Sequence, residues 1–269
     1  MATKTMRSDR QEVAMRIIDD LILNHQKGTE IFRGQPEAGR PLFAKALRHT
    51  RGNRKGYYLK ALEKFRLECW AFGWKPTGDI DDVAVAQHYG LATYLLDWTT
   101  NPLVALFFAS RGGVDENGEV FLLTNPKSIP AELQKNDQWK NIKGPLLYNP
   151  PLIDARIARQ KGLFTIQGRE DGEIKADKIY TVPRRLKKFV NEILYSMGID
   201  ESTLFPDLQG LCGKINWETR NSFDRMSLPI SGRRIISPKA HGFVTISGTA
   251  TPSLVPSEGE IPQIDPDAA

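Results

Sequence analysis

The sequence predicts an α+β fold: a single mixed domain with a small, mostly antiparallel or mixed sheet flanked by helices, plus an irregular C-terminal extension. Three observations carry this. Helical stretches and short β-rich runs such as EIFRG, GEVFLLT and KADKIYTVP are interspersed, without the regular alternation that builds a doubly wound sheet. At 269 residues, with 40% apolar and 26% charged composition, the chain can bury a real core in one large domain. The end of the chain, TATPSLVPSEGEIPQIDPDAA, is proline-rich, acidic and aperiodic, the composition of a disordered tail. The expected boundaries are a helix over 1–28 packed on the domain, the domain over 29–215, an extension over 216–247 and a tail over 248–269.

The first element is an amphipathic helix in SDRQEVAMRIIDDLILNHQKG. Ser8 and Gln11 offer a capping box, Val13, Ile17, Leu21 and Ile22 a shared face, and Lys27-Gly28 a stop. A short strand follows at EIFRG. A second helix is expected in KGYYLKALEKFRLECWAFGW, and a third from Asp81-Asp82 to Gly90, with acids at its start and glycine at its end. Thr100 or Asn101 can cap a helix that carries Pro102 in its first turn, where a missing N–H costs little. That helix, PLVALFFAS, is apolar nearly all round and should be buried. GEVFLLT is a strand after the Asn117-Gly118 turn signal. PPLIDARIARQKGLFTIQG reads as turn, short strand and irregular backbone, KADKIYTVP as a strand, and RRLKKFVNEILYSMG as a basic amphipathic helix. Ser202 or Thr203 can cap a last helix.

Several function classes are excluded. There is no glycine-rich dinucleotide fingerprint after a strand, and GLCGK lacks P-loop spacing. His25, His49, His88 and His241 stand apart, without metal-ligand spacing, and no metal is expected. No nucleophile elbow occurs. Cys69 and Cys212 give no disulfide framework. The longest apolar run, Leu103 to Ala109, is too short to span a bilayer, and the N-terminus has no apolar signal segment. A cytoplasmic protein with no membrane partner is expected. Net charge is +5. Much of the excess is clustered at 48–55 (Arg48, Arg51, Arg54, Lys55) and 184–188 (Arg184, Arg185, Lys187, Lys188), which would attract a nucleotide or nucleic acid unless they are solvated surface.

The chemistry-bearing residues are polar groups set in apolar sequence. On a strand, Ile31 and Arg33 share a face and Phe32 takes the other. If that strand is central, Arg33 must meet an anion: Asp97 or Asp207 inside the protein, or a phosphate outside it. Gly34 allows close backbone approach. Gln87, His88 and Tyr89 end a helix, and His88 is either a core hydrogen-bonding histidine or a pocket residue fit for proton transfer. Asp97 and Trp98 lie between apolar runs, so the carboxylate is either paired at a helix entry or solvated in a cleft. Asn101 stands at the start of the next helix. Arg159 and Gln160 precede a glycine and read as cleft lining or turn chemistry.

These stretches together resemble the FRG domain family. FRGQ at 32–35 matches its aromatic-Arg-Gly triplet. QHYGLATYLLDWTTNPLVALFFA at 87–109 resembles its long signature, ARQKGLF its Arg-x-x-x-Gln-x-G-x-F element, and ESTLFPDLQGL its closing segment. One departure stands out: Ala92-Thr93-Tyr94 replaces the usual Pro-Thr-Arg. The resemblance implies a bacterial or phage setting with toxin or antiphage-defence roles. The opening triplet also resembles the first motif of arginine-class ADP-ribosyltransferases, in which the arginine holds NAD; FTIQGRED, with Gln167 and Glu170, is a loose match to their later glutamate turn. The leading expectation is therefore an NAD- or nucleotide-acting effector, ADP-ribosyltransferase-like or NAD glycohydrolase-like, with NAD as substrate. In it Arg33 clamps the pyrophosphate, Trp98 or Tyr89 stacks on a ring, His88 contacts ribose, and Asp97 stabilises positive charge at the nicotinamide ribose. Two alternatives stand beside it. One is a nucleic-acid-binding module using the basic stretches with Tyr57, Tyr58 and Phe189. The other is a non-catalytic interaction or sensor protein whose polar cluster is structural.

Overall fold

Alternation within the short strands decides how the layers of this protein assemble. The computed structural model describes residues 2–23, 28–48, 57–112, 115–151, 155–168 and 172–221. In chain order the helices are α1 (Ala2–Leu23), α2 (Tyr57–Glu68), α3 (Ile80–His88), α4 (Pro102–Ser110), α5 (Ala155–Gln160), α6 (Arg184–Ser196), α7 (Glu201–Leu204) and α8 (Leu208–Asn221). The strands are β1 (Glu30–Gln35), β2 (Leu95–Thr99), β3 (Gly118–Thr124), β4 (Leu146–Tyr148), β5 (Gly162–Ile166) and β6 (Lys178–Val182). They form one antiparallel sheet in the order β4-β5-β2-β1-β3-β6. The α+β expectation is correct. None of the described helices is long and apolar enough to cross a membrane.

Register sorts the side chains onto two faces. Phe32, Val120, Leu122 and Val182 join residues of α1, α4 and α6 in one cluster. On the same face Leu95, Phe164 and Ile166 pack with α2 and α3 residues such as Leu62, Val83 and Ala84. The opposite face gathers Ile31, Leu96, Trp98, Phe121 and Leu163 under Leu42 and Ile174. Extended chain covers that face, joined by the Ile174 amide donating to the Leu42 carbonyl at 3.1 Å.

Helix α4 lies directly on the strands. A Cβ at Gly34 would overlap the Ala105 carbonyl and meet the Ala109 nitrogen at 2.7 Å, and one at Gly118 would overlap the Ala109 carbonyl. Both glycines therefore serve helix–sheet contact. As expected, α4 is capped by Asn101, whose Oδ1 accepts from the Leu103 amide at 2.9 Å, and is buried nearly all round.

Several sequence expectations change. Helix α1 begins at Ala2, so Ser8 sits inside it and is no cap; its buried face is Ala14, Ile18 and Leu21, and Val13 is exposed. Tertiary contact with α4 and α6 selects that face over the one hydrophobicity suggested. The stretch before β5 holds a short helix, α5, rather than irregular backbone. Near residue 200 the cap is Asp200, which accepts from the Ser202 and Thr203 amides, and the segment breaks into α7 and α8. Helix α8 also runs past the expected boundary at 215. The rest of the extension and the tail lie outside the described residues.

A second polar cluster holds α2 and α3 in place. Asp82 is fully buried and accepts from Arg66 Nε at 2.9 Å, the Gly78 amide at 2.8 Å, the Thr77 amide at 3.1 Å and Trp74 Nε1 at 3.3 Å. The same Arg66 donates to both oxygens of Asp137, at 2.9 and 2.8 Å. Burial alone would raise the Asp137 pKa, but hydrogen bonds from Lys140 and Arg66 outweigh it and hold the carboxyl below its ordinary range.

Gly34→Ala is expected to lower the unfolding free energy by about 3 kcal/mol, read in urea melts with an unchanged denaturant slope. Asp137→Asn should cost about 2 kcal/mol at neutral pH. Because the folded-state pKa of Asp137 is depressed, its contribution is present above the ordinary carboxylate range and disappears as pH falls through the lowered value. The gap between variant and wild type should therefore close in denaturant melts taken at falling pH.

Candidate functional site

The sheet is incompletely zipped at its centre. Strands β1 and β3 pair from Glu30↔Thr124 to Gln35↔Glu119, whereas β1 and β2 register only at Phe32↔Thr99. Beyond that point the β1–β2 seam is bridged by a side chain. Arg33 Nη1 donates to the Asp97 carbonyl at 2.7 Å and approaches Asp97 Oδ2 at 3.4 Å. Arg33 thus sits on a central strand and meets Asp97; Asp207 instead pairs with Arg156 and receives the Gly210 amide at the start of α8.

The Asp97 carboxylate is also held from α3. Gln87 Nε2 donates to Asp97 Oδ1 at 2.9 Å, and the Thr93 hydroxyl donates to Gln87 Oε1. Thr93 Oγ1 in turn accepts from the Leu95 amide at 3.1 Å, which fixes the turn between α3 and β2. The result is a relay, Thr93–Gln87–Asp97–Arg33, along the seam between the end of α3 and α4. Asp97 nevertheless stays 63% exposed, an oriented acceptor turned toward solvent, and it does not cap a helix.

Arg33 and Arg66 are equally enclosed, at 14% and 13% side-chain exposure. Arg66 has two carboxylates at 2.8–2.9 Å. Arg33 has one, at 3.4 Å, and its buried Nε has no hydrogen-bond partner among the described residues. Burial lowers the Arg33 pKa; the Asp97 charge opposes that shift and the nearby positive Arg48 adds to it. The ordinary arginine value is so high that the group remains a cation. Exposed Arg48 donates from Nε to the Phe43 carbonyl at 3.0 Å. Arg33 therefore has one carboxylate contact, at 3.4 Å, and a second cation near enough to oppose its charge.

The other candidates fall in different places. Gly34 is filled by the backbone of α4 and Asn101 is its cap, as described above. Trp98 is buried, with its indole N–H donating to Thr165 Oγ1 at 2.9 Å, so it packs core and is not placed to stack on a ligand. His88 is half-buried and meets Tyr89 edge-to-face at 4.9 Å. Tyr89 is exposed and, with Phe65, Phe72 and Trp74, lines a cavity on the α2–α3 side. Arg159 is exposed on α5. Gln160 ties elements together: its carbonyl accepts from Thr99 Oγ1 at 2.7 Å, and its Nε2 donates to the Leu204 carbonyl at 3.1 Å. Gln167 is buried, accepts from the Ala44 amide and donates to the Gly172 carbonyl at 3.2 Å; Glu170 lies outside the described residues. Seam, α5 and α7 are thus joined by Gln160, and among the candidates Arg33, Gln87 and Asp97 are directly hydrogen-bonded to one another.

The basic stretches divide. Arg51, Arg54 and Lys55 lie outside the described residues, as do His25, His49 and His241. In the second stretch Lys187 is buried and donates to the Pro36 carbonyl at 2.6 Å. Arg184 donates to the Asp115 carbonyl at 3.2 Å but is exposed, as are Arg185 and Lys188. The stretch is therefore part of the scaffold as much as of the surface. Sequence reading missed Thr93 and the electrostatic influence of Arg48 on Arg33. Both depend on tertiary placement that spacing does not encode.

No metal-binding group of three or more His, Cys, Asp or Glu occurs among the described residues. No curated protein and no solved structure matches the chain. A family match does exist, and it spans the elements that build the seam, from Gly28 before β1 through α3, β2 and α4 to Asn117: residues 28–117 match the FRG domain family.

Proposed function

We propose that the β1–β2 seam binds a phosphate-bearing nucleotide of the NAD class and that the protein acts on its N-glycosidic bond. The observation that carries this reading is Arg33: enclosed as fully as Arg66, yet under-neutralised, with an unpartnered Nε and a second cation beside it. An enclosed guanidinium in that state gains most from a multidentate anion, and phosphate oxygens fit its planar fork. Arg48 would share the load from the surface.

Asp97 supplies the other half. Gln87 and Arg33 hold its two oxygens while the carboxylate faces water, unlike the fully buried and fully bonded Asp82. An oriented carboxylate beside a bound nucleotide stabilises the cationic ribosyl carbon that develops as the C1′–N bond breaks. Neutral nicotinamide leaves with the bonding pair. Water, or an acceptor nucleophile, forms the new bond to C1′ and releases its proton to Asp97 or solvent. His88, half-buried beside Gln87 at the end of α3, would contact the ribose. Consumption of NAD would suit the toxin or antiphage role that the family resemblance implies. The nucleic-acid alternative loses ground because Lys187 is buried and occupied within the fold.

Arg33→Ala should weaken binding of ADP-ribose by about thirtyfold or more, measured calorimetrically, with Arg33→Lys recovering part of it if the fold is intact by circular dichroism. Asp97→Asn should keep ADP-ribose affinity within about threefold while lowering NAD turnover by about a hundredfold. A wild-type protein that neither binds ADP-ribose nor consumes NAD would overturn the proposal.

A further inference from the structure

A separate cavity of about 340 Å³ lies between α4, α6, α7 and α8. Apart from Phe107, Arg111 and Gly112, its lining residues lie beyond the FRG match. We propose that this cavity is a second ligand site, built for a mononucleotide: a planar ring bearing an N–H donor, joined to a single phosphate.

Each part of such a ligand has a counterpart. Tyr195 and Trp217 stack on each other at 4.8 Å and 22°, forming a flat aromatic wall, with buried Phe107 as a third ring. The hydroxyl of Tyr195 is held by Glu218, so the wall is fixed before anything binds. Planar heterocycles of any identity gain from such a surface.

The ring edge has a waiting acceptor. Asn191 lines the cavity and spends its Nδ2 on the Ser110 carbonyl at 2.9 Å. Its Oδ1 is buried without a donor among the described residues, and so is the neighbouring Ser110 Oγ. Buried side-chain acceptors are seldom left this way in folded proteins. A base N–H entering beside Trp217 would supply the donor, with a small adjustment of the amide.

Charge at the rim selects the other end. Arg111 is paired with Glu201 at 2.9 Å and Lys214 with Asp200 at 3.3 Å, so those four charges cancel. Exposed Arg220 has no carboxylate partner among the described residues. Glu218 is committed to the Tyr195 hydroxyl, so Arg220 is the rim cation without a direct ion pair among the described residues, and it gives an anionic group on an aromatic ligand its contact. The volume sits at the small end of the range for ligand pockets, which suits a mononucleotide better than a dinucleotide or a polymer.

The test uses the full chain and adenosine 5′-monophosphate, with adenosine and ribose 5-phosphate as the ligands lacking phosphate and ring. AMP should quench tryptophan fluorescence, and each truncated ligand should bind at least about tenfold more weakly. Arg220→Glu, an exposed change, and Asn191→Leu should each weaken AMP by about tenfold or more, whereas Arg33→Ala should leave it unchanged. Trp217→Phe should retain binding and lose the quench. No AMP binding by the wild type, or equal binding by wild type and Arg220→Glu, would refute the site. If Arg33→Ala alone abolishes AMP binding, the nucleotide occupies the seam, and the second site falls while the first stands.

Discussion

The arrangement depends on backbone lying against backbone where α4 crosses β1 and β3. Gly34 and Gly118 leave no room for a Cβ beneath Ala105 and Ala109, so the helix seats closer than ordinary side-chain packing would allow. Helix α4 follows β2 almost immediately, through the Asn101 cap. That short connection and the close seating fix β2 relative to β1, and the two strands pair only at Phe32↔Thr99. The open seam beyond is thus a product of packing. Arg33, one residue before Gly34, bridges it because the backbone ladder does not.

Within that frame, two arginines of matching enclosure show how a scaffold cation differs from one left poised. Removing an ion from water is costly, and a protein recovers the cost only with close, complete partners. Arg66 is so supplied by Asp82, Asp137 and the Asp79 carbonyl. Arg33 donates one short bond to a backbone carbonyl and makes one long contact to an exposed carboxylate. The same contrast separates Asp82, saturated with donors and buried, from Asp97, oriented and open. Burial alone would place the two arginines in one class; counting partners divides them.

What the sequence disclosed follows from how local each signal was. The Asn101-Pro102 cap, the all-round apolar character of α4, the stop of α3 before Gly90 and the strands β1, β3 and β6 are written in neighbouring residues, and they appear as expected. Strand β2 was harder to see because Leu95, Leu96 and Trp98 are buried on both faces, which erases alternation. Ser202 and Thr203 looked like caps; Asp200, just upstream, reached both of their amides first. For the site, residue types were legible and partners were not. Arg33's alternatives, Asp97 and Asp207, could be separated only by knowing that β1 and β2 adjoin while Asp207 faces Arg156. Trp98 and Asn101 carried a functional look that the fold spends on the core and on a helix cap.

Tyr94 shows how a departure from the motif can be taken up by the core. It occupies the position where the family pattern has arginine, yet it is buried in the apolar cluster with Trp139 at a ring distance of 6.4 Å. The groups that form the seam's relay are its neighbours Thr93 and Asp97, with Gln87 and Arg33, and all four are present and bonded. A tyrosine satisfies the core here without a buried charge to neutralise. The cationic character of the seam therefore falls entirely on Arg33 and Arg48. Because Arg48 comes from a surface turn after the Lys45–Leu47 helix rather than from the sheet, the fixed cation is the one on β1 and the adjustable one is at the rim.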